Sequence, residues 1–493
     1  MMNGNDFSDG NALYAAFTAH DVRFDGRVYV CVSSTGIYCR PVCRVRMPKQ
    51  ANCTFQPSAA AAEAAGFRPC LKCRPELAPG FSPADAAGRL ARMAALVIEE
   101  DCLTDDGVAG LADRLGVTDR HVRRVFSREY GVAPVQYLQT RRLLLAKSLL
   151  ADTDLPATHI AFAAGFGSIR RFNDAFKKHD RMPPTAVRKQ GRADTATRKD
   201  AVTLYLGYRP PYDWPTLLAF LESRAIPGVE CVADGEYRRA VRLESGGLAH
   251  SGWLSVTLAE KRNALAVTIA SSLLPVLAKV LARVRHLFDL DSDPAAIYSA
   301  LSCMNEFKPR LCRAGTRLPG CFDPFEMAVR AVLGQQITVK AARTLAGRVA
   351  QTFGNPVATP FANVDRTFPS PADICKLEGA AESHLGPIGV IAARSRSIRA
   401  LAEAMIAGEI PLTPSSDAED QMRKLLVLPG FGPWTVEYLA MRALGWPDAF
   451  PHTDYGVKKA MDDRGAKEIL AIAEAWRPWR SYATFNLWNS LQS

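Results

Sequence analysis

The sequence predicts a multidomain chain, mainly α with α+β parts, and three observations carry that expectation. At 493 residues it is too long for one hydrophobic core. Its patterning changes along its length: strand-like alternation at 27–33, helical periodicity from about 81 to 190, strand-like runs from about 201 to 285, then helices again. Its charge is also unevenly spread. Of a formal +11, residues 1–200 carry +8, from 29 Lys and Arg against 21 Asp and Glu. The remaining residues hold 32 and 29. A polyanionic partner is therefore expected for the first 200 residues.

Composition narrows the class. Hydrophobic residues at 48% and charged residues at 23% are ordinary for globular protein. No uncharged apolar run reaches about 18 residues, so no membrane span is expected. The first ten residues have neither a basic stretch nor an apolar one, so no signal peptide is expected. The twelve cysteines are then expected in a reducing cytoplasm. Close pairs there read as metal ligands or reactive thiols, not disulfides.

Residues 1–80 are read as a small α/β unit around one metal. Cys39-Arg-Pro-Val-Cys43 and Cys70-Leu-Lys-Cys73 are separated by 26 residues. Each pair can grip one side of an ion, and four thiolates close a structural Zn²⁺ site at Cys39, Cys43, Cys70 and Cys73. Cys31 lies in an apolar run and reads as a small buried hydrophobe. Residues 37–49 carry Arg40, Arg44, Arg46 and Lys49 and no acid. Four thiolates on Zn²⁺ leave a net −2, which repels phosphate, and these basic residues offset it. A metal-held thiolate stays deprotonated and remains nucleophilic. Ser33–Arg44 and Gly66–Arg74 resemble the N-terminal domain of Ada-type alkylation-response proteins. The resemblance implies that Cys39 irreversibly accepts a methyl group from a DNA methylphosphotriester. Losing one negative charge there would lower repulsion of phosphate and tighten DNA binding.

Residues 81–190 are read as all-α. Val108–Leu115 is amphipathic and ends at Gly116, and Thr118 is a good N-cap for Asp119–Tyr130. The pattern recurs with Pro156–Ala164, the turn Gly165-Phe-Gly167, and Ser168 capping Ile169–His179. These are two helix-turn-helix units joined by a long helix from Pro134. The second helix of each would enter a major groove. Candidate DNA contacts are Arg120, Arg123 and Arg124 in the first unit and Arg170, Arg171 and Asn173 in the second. Phe126, Phe172 and Phe176 read as core. The arrangement resembles the AraC-type DNA-binding domain, which implies promoter DNA and, as a candidate partner, RNA polymerase. Arg181 and Val187 depart from that family, which usually has Gly and an aromatic there.

Residues 190–200 read as a linker that would let the two halves move independently. Residues 201–285 read as β-rich, with one helix after Trp214-Pro215, and 286–493 as all-α. Leu428-Pro-Gly-Phe-Gly432 has the form of a helix-hairpin-helix turn, with Gly430 and Gly432 exposing backbone N–H groups to phosphate. Asp454 follows about twenty residues later. An Asp at that distance resembles the catalytic aspartate of the helix-hairpin-helix DNA glycosylases, in which glycosidic cleavage builds positive charge on the sugar and a carboxylate stabilises it. A lone Asp near a helix start is otherwise an N-cap.

Pro210–Trp214, Arg317–Cys321, Arg330–Gln335 and Trp476–Tyr482 resemble the AlkA-type 3-methyladenine DNA glycosylase II. The resemblance covers about residues 201–490. It implies Asp454 as the catalytic carboxylate, Trp434, Tyr438 and Trp488 as a pocket that stacks cationic alkylated purines, and Gln335 or Gln336 at the gap left by a flipped base. Gly432-Pro433-Trp434 stands where bifunctional relatives carry a lyase lysine, so a monofunctional hydrolase is expected. No cysteine follows Cys375, so no iron–sulfur cluster is expected. A monomer acting on double-stranded DNA, alkylated and promoter, is the expected form. The competing reading is a methylation-sensing activator whose second half only grips DNA.

Overall fold

The computed structural model describes residues 10–21, 24–78, 89–101, 107–179, 181, 183–191, 200–414 and 417–491. Most of the linker expected at 190–200, and the first nine residues, lie outside these.

The first unit is built on a four-stranded sheet in the order β3-β1-β2-β4. Its strands are β1 (Tyr29–Val32), β2 (Ile37–Cys39), β3 (Cys53–Gln56) and β4 (Arg68–Pro69). β1 is antiparallel to β2 and β3, whereas β2 and β4 run parallel, with Ile37 opposite Arg68 and Tyr38 opposite Pro69. Cys31 is fully buried in this sheet.

Helices follow as the periodicity predicts. Thr118 caps Asp119–Tyr130 by accepting from His121 N–H, and Ser168 accepts from Arg171 N–H at the start of Ile169–His179. The helix Pro134–Asp152 joins the two units. Phe126, Phe172 and Phe176 are fully buried. Arg181 adopts the left-handed conformation (φ 54°) that glycine serves in related turns. Its guanidinium donates to the Gly66 carbonyl at 3.0 Å, so the strained residue ties the second unit to the first sheet. Val187 is buried in the core of the second unit.

The second half opens with a five-stranded antiparallel sheet in the order β5-β9-β8-β7-β6. Its strands are β5 (Ala201–Gly207), β6 (Glu230–Ala233), β7 (Glu236–Ser245), β8 (Leu248–Ala259) and β9 (Ala264–Ala270). The predicted helix is Trp214–Arg224, capped by Asp213. The last strand ends at Ala270 and an α-helix already runs over Leu277–Leu287. Helices continue to Arg480–Asn489. Among the described residues no helix is long and apolar enough to cross a membrane.

The halves do not sit apart as the linker suggested. One apolar core runs from Leu149, Phe172 and Phe176 through Val202 and Leu204 of β5 to Leu439 and Leu487. Polar ties join them as well. Buried Arg209 donates to the Asp25 carbonyl at 2.7 Å, and Arg27 pairs with Asp293 at 3.6 Å. A polar linker reports only on itself, because the joining surfaces are helix faces and a strand already counted as core within each half.

Candidate functional sites and family

The cysteine pairs meet because of strand register. With Tyr38 opposite Pro69, the next residues, Cys39 and Cys70, fall side by side, and Cys70 N–H bonds the Tyr38 carbonyl at 3.0 Å. A tight turn returns Cys43 N–H to Arg40 O at 3.1 Å. The ligand atoms of Cys39, Cys43, Cys70 and Cys73 all lie within 4.8 Å of one another. Tetrahedral zinc with bonds of about 2.3 Å places sulfurs about 3.8 Å apart, so the donor set fits. Protonation makes the same point. Hydrogen bonds with Cys43, Cys70 and Cys73 push the Cys39 thiol far up, whereas those from Cys39 and Cys43 hold Cys70 far down. Four negative charges do not coexist in that space without a cation. Cys39 is 3% exposed and Cys73 is the most open of the four.

The basic residues nearby divide. Arg44, Arg46 and Lys49 are exposed. Arg40 is not available to DNA as expected: its Nε donates to Asp25 at 2.9 Å and its Nη1 to the Cys73 carbonyl at 3.1 Å. Its backbone N–H approaches Cys73 Sγ at 3.4 Å. A guanidinium committed to a buried carboxylate braces the cluster instead of reading phosphate.

A second brace reaches the helices. Lys147, on the joining helix, is 2% exposed and donates to the Cys70 carbonyl at 3.2 Å while pairing with Glu76 at 3.3 Å. Arg74 forks onto Asp152 with two bonds of 2.7 Å. Burial alone would raise Glu76, but Lys147 and Arg74 overcome it and hold the carboxyl below its usual range. The sequence did not point to this network, since charged residues carry no periodic mark of their partners.

On the two helix-turn-helix units, Arg120, Arg123, Arg124, Arg170, Arg171 and Asn173 are all exposed. Arg123 pairs with Asp119 within its own helix and Arg124 contacts His121 at 3.1 Å.

The third site is a cleft of about 1130 Å³ between the hairpin, the helices Pro324–Leu333 and Val339–Phe353, and the segment 453–456, with Arg224 reaching it from the β-rich unit. Gly430, at φ 80°, makes the hairpin turn, and a Cβ there would collide with Ser397 Oγ. Gly432 is the N-cap of the helix Pro433–Arg442 and gives it no side-chain cap.

Asp454 is both the N-cap of the helix Tyr455–Ala460 and a residue of the cleft wall. Its Oδ1 accepts from Val457 N–H at 3.1 Å and from Trp488 Nε1 at 2.8 Å. Its Oδ2 accepts from Trp434 Nε1 at 2.9 Å. Two indoles of the expected pocket thus aim the carboxylate. Trp434 stacks on Tyr438 with centroids 5.5 Å apart, and Tyr438 lies 6.1 Å from Trp488.

The two glutamines have different positions. Gln335 Nε2 donates to the Gly430 carbonyl at 2.8 Å and to Thr435 at 3.0 Å, fastening the hairpin. Gln336 is exposed at the cleft in a left-handed turn (φ 56°).

Four family models match in chain order. These are the metal binding domain of Ada (12–76), a helix-turn-helix domain (111–190), the AlkA N-terminal domain (203–323), and the HhH-GPD superfamily of base excision DNA repair proteins (329–474). The "Probable bifunctional transcriptional activator/DNA repair enzyme AlkA" of Mycobacterium tuberculosis H37Rv is 39% identical over 98% of this chain and 97% of its own length. The chain belongs to this family of bifunctional regulator–repair proteins. Its second half is also similar to DNA-3-methyladenine glycosylase 2 of Escherichia coli K12, 35% identical over 57% of this chain and 95% of that protein. The same fold appears in the solved 3-methyladenine DNA glycosylase of Archaeoglobus fulgidus, 21% identical, with a TM-score of 0.50 over 59% of this chain and 99% of that one. For a member of this family, DNA alkylation repair and its regulation reside on one chain.

Proposed function

We propose that the second half is a monofunctional glycosylase hydrolysing the N-glycosidic bond of alkylated purines such as 3-methyladenine and 7-methylguanine. Asp454 is its catalytic carboxylate. The observation that carries this is the carboxylate fixed by two indole N–H groups and a helix N-terminus in an aromatic cleft. Such preorganisation stabilises the positive charge that develops on the sugar. The Trp434–Tyr438 stack and Trp488 offer π faces to a cationic base. The hairpin grips phosphate and Gln336, at the rim, reaches toward the gap in the duplex. Release of 3-methyladenine or 7-methylguanine from alkylated DNA, by wild type and not by Asp454→Asn, tests the reading. No release by wild type ends it.

The first half accepts one methyl group at Cys39 from a DNA methylphosphotriester. The sulfur bonds to the methyl carbon as the carbon–oxygen bond breaks, and the phosphate leaves as a diester anion. Zinc held by Cys39, Cys43, Cys70 and Cys73 would keep the sulfurs deprotonated. Cys73 is more open, but its sulfur accepts the Arg40 N–H, which draws off electron density and leaves Cys39 the better nucleophile. Peptide mass mapping after exposure to methylphosphotriester DNA decides between them. The exposed arginines of the two recognition helices then hold promoter DNA, more tightly once the cluster has lost a charge.

A further inference from the structure

The cleft holds a cation that the proposed excision of cationic bases does not use. Arg224 ends the helix Trp214–Arg224 and lines the cleft with Asp454 and Trp488. Its guanidinium lies 3.8 Å over the Phe220 ring. Phe220 is nearly parallel to Trp488, at 8° and 6.2 Å, and Trp488 holds Asp454. Arg224 thus packs on the aromatic stack that carries the carboxylate.

Its neighbours are spent elsewhere. Arg330 is taken by Glu230, Glu326 and the Arg224 carbonyl. Arg442 is taken by the Pro319 and Gly320 carbonyls and Tyr438 OH. Arg224 bonds Ser223 Oγ at 2.9 Å, and among the described residues no carboxylate pairs with it. Burial first, then the like charges of Arg442 and Arg330, pull its pKa down to about 10, so it stays charged at neutral pH. Donors of the guanidinium are therefore free toward the cleft.

A cation beside a cationic alkylpurine is repulsive. The same cation favours a neutral damaged purine. When the bond between C1′ and the base nitrogen breaks, the electron pair goes to the base. A cationic base leaves neutral; a neutral base leaves as an anion. Water oxygen then bonds C1′, and its proton passes to the base or to solvent. We propose that Arg224 is a specificity-determining residue, donating charge-assisted hydrogen bonds to the acceptor edge of a neutral damaged purine as that base takes up negative charge.

This rests on the glycosylase reading, and the test separates the two. The full chain is assayed in single turnover on duplexes carrying either deoxyinosine, which yields neutral hypoxanthine, or 7-methyldeoxyguanosine. Wild type is expected to release both bases. Arg224→Met is expected to lose hypoxanthine release by roughly 100-fold relative to 7-methylguanine release. Arg224→Lys, which keeps charge but not the planar fork, should fall between. Equal slowing of both substrates in both variants would reduce Arg224 to a prop for Phe220 and overturn the proposal. Wild-type release of 7-methylguanine without hypoxanthine would also overturn it. Release of neither base would take down the glycosylase reading and this proposal together.

Discussion

The cysteine cluster and the aromatic cleft solve opposite problems with acidic groups. At the cluster, four sulfurs crowd within 4.8 Å and hold one another's protons, so the arrangement is complete only with a cation. At the cleft, Asp454 needs no ion: three N–H groups already occupy its two oxygens. The cluster hangs on a two-residue parallel strand pairing and a brace of buried charges. The cleft is walled by helices of the largest apolar core. A site used once can be consumed by its reaction; a site that turns over must return to its starting geometry. On the proposed function, the comparison teaches that the first half is built to be changed and the second to stay unchanged.

The largest effect expected of any single change is at Asp454. Asp454→Asn should lower single-turnover base release by roughly 10³-fold while leaving the metal-binding cluster intact. It also turns an acceptor into a group whose NH₂ faces an indole N–H, so some loss reflects misorientation. Chelation should sharpen the contrast from the other side. Stripping the metal should abolish methyl uptake and melt the small sheet, seen as loss of a low-temperature calorimetric transition. Base release should stay within about twofold, because the core clusters around Cys39 and Tyr38 are separate from the core of the cleft.

Much of this was legible in the residues. The recurrence of an N-cap before an amphipathic helix located both recognition helices, because capping is local chemistry. Asp454 was legible as an N-cap or a catalytic group, and it turns out to hold the capping position inside the cleft. What stayed hidden was long-range. Nothing local in Arg40 says that Asp25 will take its guanidinium, and nothing in Lys147 says that it will be buried against Cys70. The two glutamines look equivalent in sequence; only the fold sends Gln335 to the hairpin and Gln336 to the rim. The shared core of the two halves was hidden for the same reason, since a buried strand reads alike whichever neighbour covers it.

Smaller changes probe the supports. Trp488→Phe keeps most of the stack but removes the donor to Asp454 Oδ1. Base release should fall by roughly 10-fold, the worth of one hydrogen bond to a charged group. A fall as deep as that of Asp454→Asn would mean that the cleft is as fragile as the cluster. Smallest is Arg171→Ala on the second recognition helix. It should weaken promoter binding a few-fold and reduce the slope of log affinity against log salt by about 1, measured by titration at several ionic strengths.

The central claim is one consumable site and one renewable site on a single chain. It is tested most directly by giving limiting protein an excess of DNA that carries both methylphosphotriesters and 7-methylguanine, and measuring both products in the same sample. The account predicts that each chain gains a single methyl group, on the peptide containing Cys39, while free base accumulates far beyond one equivalent. Base release that stops at one equivalent, or chains that keep releasing base yet never acquire the methyl group, would contradict it.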